Sequence, residues 1–328
     1  MILSFAPIDI RRPVRFQRPS VICCFLIATV LFAQCCVFAS SVRLAFLDDE
    51  PALQDTIGLL TNSVCSAPVA IAYQNAVRSN VFDRTEFALS RLPTPSAGFY
   101  SFATVWDLVK ALPQNAFESS HAASFNCFDT LILLADGQLQ CSLHPDDLSG
   151  PYLVPKYYTN GLGTTVMETP RDAYNENYPL AYTQTAECFF PKSKRDSRIC
   201  LTAALYRQHC LPASTTSETC EVTMLEVLRA AWRRDGLKFP DKCELVMVHG
   251  VKSFGVCSDH AGLLIPHGGT FTYVEKIGGS GPFVRFDFNE RTDLTAWLSA
   301  IWQRCQVHEN HFVTINDARI EKLYFFTR

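Results

Sequence analysis

The pattern of apolar and polar positions changes character along the chain. Between residues 44 and 92, "ALQDTIGLLTNSV" and "AIAYQNAVRSNVF" place apolar residues three and four apart, a period that predicts helices. "RLPTPSAGFY" interrupts it, because Pro93 and Pro95 bias the residues before them away from the helical region. "FATVWDLVKAL" then resumes the helical period. From Gly150 to about Cys220 the chain is rich in Tyr, Pro, Thr and Asn and weakly periodic. This part reads as long loops with short helices, an irregular, Cys-containing insert near 150–222. "TMLEVLRAAWRRDGLKF" restores an amphipathic helix, with Leu225, Leu228 and Trp232 on one face and Gly236 as its stop signal.

After that helix the period shortens. "CELVMVHG", "HAGLLI", "TFTYVEKI" and "FVRFDF" are short apolar runs bounded by Gly and Pro, which predicts strands of an antiparallel sheet. "NERTDLTAWLSAIWQRC" returns as a helix with Leu294, Trp297, Leu298, Ile301 and Trp302 on its buried side, and "KLYFFTR" reads as a closing edge strand. A helical N-terminal part followed by a C-terminal antiparallel sheet is the α+β class. The expected unit is one domain over 40–328.

Composition adds an address. The chain has 328 residues and 48% apolar residues, ordinary values for a globular protein. Its start is different: Arg11, Arg12, Arg15 and Arg18 against the single acid Asp9, and then the uncharged run "VICCFLIATVLFAQCCVFA". This is the layout of an export signal over residues 1–39, with "VFA-S" offering small residues for cleavage after Ala39. Uncleaved, the same run is long enough to anchor the chain in a bilayer, the one route to a membrane partner. The expected location is periplasmic, cell-surface or extracellular.

Charge and cysteines narrow the classes further. The net charge of −3 falls further once the arginine-rich segment is removed, which argues against nucleic acid as a partner. "KSKRDSR" (192–198) is the only compact basic stretch and reads as a solvated loop, with a nicking site as the alternative. Cys23, Cys24, Cys35 and Cys36 lie in the export segment; the remaining ten of 14 cysteines, in an exported chain, suggest disulfides. No CxxC pair occurs, so neither a structural zinc nor a thioredoxin-type motif is expected. Cys305, His308 and His311 recur at intervals of three but lack an evident fourth ligand, and "GLGTTV" lacks the third glycine of a dinucleotide fingerprint. No metal or cofactor is expected.

The candidate chemistry is a thiol, an imidazole and a carboxylate. Between "HAGLLI" and "TFTYVEKI" lies "PHGG" (266–269). A two-residue turn at His267 and Gly268 makes Pro266 face Gly269, and a four-residue loop makes Ile265 face Thr270. Both registers set His260 directly opposite Glu275, about 5 Å apart at Cβ, whereas a three-residue loop breaks this pairing. A carboxylate there orients the ring and stabilises its imidazolium, two thirds of a nucleophilic constellation. Taken alone, the same pair also reads as a surface ion pair.

Cys127, in "SFNCFDTLILLADG", has two settings. As the first turn of a helix capped by Asn126 and stopped at Gly137, with Phe128, Leu131, Ile132 and Ala135 inward, its thiol meets the positive end of the helix dipole, which favours the thiolate. Alternatively "TLILLADGQLQCSL" is a hairpin around Asp136-Gly137, with Cys127 and Cys141 candidates for a disulfide.

The series "FNC", "AAWRRDGLKF", "DHAGLLI", "TYVEKIG" and "GPFVRFDFNERTDLTAWL" resembles the family of bacterial exported proteins catalogued as domain of unknown function 4300, over roughly 45 to 305. The order of a cysteine at a helix start, then a histidine and a polar residue on adjacent strands, is similar to the layout of papain-like and NlpC-type cysteine peptidases. That resemblance implies a papain-like fold with Cys127 as nucleophile, His260 as base, Glu275 as orienting carboxylate and Asn126 beside the oxyanion. The chain departs from the family at Phe128, where a basic residue is expected, and at Asp259, where glycine is expected. The implied activity is hydrolysis of an amide in a peptide or in peptidoglycan; the alternative is a non-catalytic cell-surface binding module on the same fold.

Overall fold

The computed structural model describes residues 42–79, 92–112, 127–144, 156–159, 165–168, 195–206, 209–210, 220–252, 255–277, 282–305 and 310–319. The export segment with its Ala39–Ser40 junction, Asn126, His308 and "KLYFFTR" lie outside these residues.

Among the described residues the fold is α+β, built on one long antiparallel sheet. Its strands are β1 (Val42–Phe46), β2 (Phe99–Phe102), β5 (His209–Cys210), β6 (Glu244–Lys252), β7 (Gly255–His267), β8 (Thr270–Lys276), β9 (Phe283–Phe288), β10 (Asn310–Ile315) and β11 (Ala318–Arg319). They run in the order β11-β10-β6-β7-β8-β9-β1-β2, with β5 paired to β7 off this path, while β3 (Lys156–Thr159) and β4 (Thr165–Glu168) form a separate antiparallel pair. The strands expected from "CELVMVHG" to "FVRFDF" form the centre of the sheet as β6 to β9.

Seven strands were not expected: β3, β4 and β5, which lie in the insert read as loops with short helices, β11, and the three that follow. β1 occupies residues whose local pattern reads as the start of a helix; its backbone instead bonds β9 on one side and β2 on the other. β2 follows Pro93 and Pro95, and the helix read from "FATVWDLVKAL" begins only at Val105, where Thr104 Oγ1 accepts the Asp107 N–H at 3.2 Å. β10 lies against β6. For these last three a distant partner decides the conformation, and periodicity in a short window carries no information about that partner.

The helices are α1 (Glu50–Ser63), α2 (Ala67–Ser79), α3 (Val105–Ala111), α4 (Cys127–Leu134), α5 (Arg195–Tyr206), α6 (Cys220–Arg234) and α7 (Arg291–Cys305). Side chains of α1, α2, α4, α5 and α6 form one core with Leu245, Met247, Ala261, Leu263, Ile265 and Val274 of the sheet. Those of α3 and α7 form a second core with Val246, Val248, Leu264, Tyr273, Val284 and Phe286. The alternation of these sheet residues places the two cores on opposite faces.

Helix α4 is the central one. Every residue from Cys127 to Ala135 is buried, as a helix apolar on nearly all sides must be. The hairpin alternative for this segment is excluded: the chain leaves the helix through Gly137 at φ +79°, and the Gln138 and Leu139 N–H groups both bond the Ala135 carbonyl. Cys65, Cys127, Cys141 and Cys243 carry free thiols, so the proposed Cys127–Cys141 disulfide is absent. Burial pushes the Cys65 and Cys243 thiols up to about 11 and about 12.

The solvated-loop reading of "KSKRDSR" also needs correcting. Residues 195–198 open α5, and the Arg198 side chain is 7% exposed, paired with Asp129 Oδ1 at 3.4 Å. A basic residue goes inward here because a buried carboxylate meets it. A second cluster, centred on the buried Arg285, ties α1, β1 and β2 to β9. Arg285 Nε donates to Asp287 Oδ1 (2.8 Å) and Nη1 to Asp55 Oδ2 (2.6 Å), and the Arg43 and Arg285 guanidinium groups lie 4.6 and 5.0 Å from the centre of the Phe99 ring. No helix among the described residues is long and apolar enough to cross a membrane.

Candidate active site

Cys127 is the first residue of α4, which packs on β7 and β8. Its backbone N–H is among the first-turn donors that have no partner within the helix, and the helix dipole places positive charge beside Sγ. The residue is 8% exposed.

His260 reaches the thiol from β7. The β7–β8 turn is Gly268-Gly269, with φ of +55° and +85°, so His267 pairs with Thr270 and Gly262 faces Glu275. The expected register, with His260 opposite Glu275, is therefore shifted by two residues. A two-residue type I′ turn needs positive φ at both central positions, which two glycines supply and His267 does not. A shift of two preserves the face of each side chain. His260 Nε2 accordingly still meets Glu275 Oε2, at 2.5 Å, along the diagonal of the ladder.

The ladder to β8 ends at Gly262, so His260 stands where the two strands part. On its other side β7 carries a bulge: Val248 pairs with His260 and His249 with Ser258, leaving Asp259 as the extra residue. The bulge is held by a buried chain in which His249 meets Ser258 Oγ at 3.0 Å and Thr314 Oγ1 at 2.8 Å.

Glu275 is almost fully buried, and its second oxygen accepts the Trp297 Nε1–H from α7 at 3.0 Å. Glu275 and Trp297 thus approach His260 from the α7 layer, and Cys127 approaches from the α4 layer. The Cys127 thiol is the ring's other hydrogen-bond partner, and with Nε2 on Glu275 the nitrogen left for it is Nδ1. Burial, the largest influence on His260, opposes its charge; the negative charges of Cys127 and Glu275 outweigh it and raise the imidazolium to about 10.

Two neighbours complete the electrostatics. Lys276, fully buried with its ammonium 5.1 Å from the centre of the Phe283 ring, is pulled down to about 7 by burial, while the charge at Cys127 acts in the opposite sense. Tyr273 is buried on the same face of β8 as Glu275, and burial followed by the carboxylate's charge holds its phenol well above the ordinary range.

The fold therefore brings Cys127, His260 and Glu275 together; Asn126 lies outside the described residues. Trp297, Tyr273 and Lys276 were not anticipated as site residues. Trp297 shows in the helical period as a core position, but nothing in that period shows where its N–H points. Lys276 and Tyr273 stand in "TYVEKIG" among residues that read as strand. Of the Cys305, His308 and His311 cluster, His308 and the other two side chains fall outside the description. Among the described residues no group of His, Cys, Asp and Glu is arranged to hold a metal ion.

Neither the curated proteins nor the solved structures gave a match to this chain. Residues 204–320 match the family model of a domain of unknown function, DUF4300, a span that carries His260 and Glu275 and begins after Cys127.

Proposed function

We propose that this protein is an exported cysteine amidohydrolase with a papain-like arrangement, acting on an amide in a peptide or in peptidoglycan. The observation that carries the reading is the chain of contacts Cys127–His260–Glu275, with the thiol at a helix start and the other two on adjacent antiparallel strands. Export is supported by the arginine-rich start followed by an uncharged run.

The arrangement supports a definite sequence of steps. The Cys127 thiolate attacks the amide carbon, and the carbonyl electron pair moves to the oxygen, beside the first-turn N–H groups of α4. As the tetrahedral intermediate collapses, the C–N bond breaks and the His260 imidazolium gives its Nδ1 proton to the departing amine. His260, neutral and held by Glu275 as the Nε2–H tautomer, then takes a proton from water. The resulting hydroxide attacks the thioester, releases the acid and restores the thiolate.

The near burial of Cys127 favours a second reading, a non-catalytic binding module on the same fold. Alkylation separates them. Iodoacetamide applied before reduction, followed by peptide mapping, is expected to label Cys127 faster than a free cysteine peptide, and at least about tenfold slower in His260→Ala. Labelling of Cys127 no faster than the peptide removes the hydrolase reading.

A further inference from the structure

Gly262 is the residue directly across the β7–β8 ladder from Glu275, where any side chain would share a face with the carboxylate. The end of the Tyr273 ring takes that space. A Cβ built on Gly262 would lie 2.3 Å from Tyr273 Oη, 2.4 Å from Cζ and 2.5 Å from Cε2. Tyr273 precedes Glu275 by two residues on β8, so its hydroxyl is carried along one face of the strand to the carboxylate's side. Oη is buried and completes no hydrogen bond of ordinary geometry in the structure, and the acceptor that acts on it is the Glu275 carboxylate. The ring stacks on Phe286 (6.5 Å, 27°), and Phe286 packs at 4.2 Å on Trp297, which donates to Glu275.

We propose that Tyr273 is a positioning residue for the Cys127–His260 pair: its phenol donates to Glu275 and, with Trp297, holds the carboxylate on His260 Nε2, a placement open only because residue 262 has no side chain. A donor aimed at the unused side of a buried carboxylate limits its rotation, and a fixed carboxylate fixes the imidazole. The phenol stays protonated, and therefore a donor, far into the alkaline range, because burial and then the Glu275 charge oppose its ionisation. The charged groups around it are Glu275 on its own strand, His260 on β7 and Cys127 on α4; Lys276 points to the opposite face of β8. The catalytic consequence rests on the hydrolase reading, whereas the positioning itself is read on His260.

The test is Tyr273→Phe in the full chain, which keeps the ring and removes only Oη. Cys127 is alkylated across the pH range with iodoacetate and with neutral iodoacetamide, and the ratio of the two rates is followed. The anionic reagent is favoured while His260 is cationic, so the alkaline fall of that ratio reports loss of the imidazolium. In Tyr273→Phe the fall is expected at a pH lower by about half a unit or more, with labelling near neutrality several-fold slower. Gly262→Ala, which displaces the phenol and retains it, is expected to shift the fall in the same direction.

A purely structural tyrosine would leave the ratio unmoved. A folded Tyr273→Phe protein with an unchanged profile overturns the proposal. If wild-type Cys127 is inert to both reagents, the hydrolase reading fails by itself, and positioning is then read from the His260 Nε2–H proton resonance. That resonance is expected to be sharp in the wild type and shifted or lost in Tyr273→Phe; no change overturns the proposal.

Discussion

Trp297 Nε1 donates to Glu275 Oε1 at 3.0 Å, on the carboxylate whose other oxygen lies 2.5 Å from His260. A residue at the centre of the α7 core is thereby also a partner of the site's carboxylate. Trp297→Phe keeps most of the aromatic bulk and removes the donor from a buried, charged acceptor. The expected cost is about 1–3 kcal/mol in urea denaturation, accompanied by slower alkylation of Cys127.

His260 and Lys276 make opposite contributions to stability over one pH window. His260 is raised to about 10, so the folded chain holds its proton longer than the unfolded chain, and stability falls as pH rises from about 6.5 toward 10. Lys276 is lowered to about 7, so the unfolded chain holds more protons and stability rises from about 7 toward the ordinary lysine value. Lys276→Met removes the rising half. Between about pH 7 and 9 the variant is expected to lose roughly 1–3 kcal/mol relative to the wild type's own change, measured by urea titration at each pH. Below pH 7 the variant is expected to be the more stable of the two. Equal slopes in both proteins would contradict the lysine assignment.

Much of this site follows from local residue order, and some of it does not. The strands "TFTYVEKI" and "FVRFDF" carry their own boundaries in glycine and proline, and the start of α4 at Cys127 and its exit through Gly137 at φ +79° agree with the helical reading. The face shared by His260 and Glu275 was legible because it depends only on odd and even positions. Their register was not, since it turned on which two of Pro266, His267, Gly268 and Gly269 make the turn. β1 and β2 were missed for another reason: their partners are each other and β9, the last more than 200 residues away. The burial of Arg198 was missed because it depends on Asp129 in another helix.

The turn offers its own test. Gly268→Asn is expected to be close to neutral, because asparagine tolerates the left-handed region. Gly269→Val, at φ +85°, is expected to cost about 1–2 kcal/mol, since a β-branched residue strains there. Equal tolerance at both positions, by thermal unfolding, would count against a type I′ turn.

Thiol reactivity should be uneven. Cys65 and Cys243, buried and raised to about 11 and about 12, are expected to react with a disulfide reagent near neutral pH only after denaturation, while Cys127 reacts in the folded protein. Peptide mapping of partially labelled protein checks this. Labelling of Cys243 ahead of Cys127 would show that the core opens more readily than the site.

The position of β1 has a consequence for how the molecule is assembled. This strand is the first described segment, yet it is wedged between β2 and β9, with Arg43 opposite Asp287. During synthesis it must wait for most of the chain before its second neighbour exists, a contact of high sequence separation whose closure is slow. The surface on which α4 rests is made by β7 and β8, which also arrive late. A nascent or C-terminally truncated chain therefore carries Cys127 without its base or carboxylate, and its thiol behaves as an ordinary cysteine. Reactivity appears only with the finished sheet, so a rising alkylation rate during refolding would time the last step of folding.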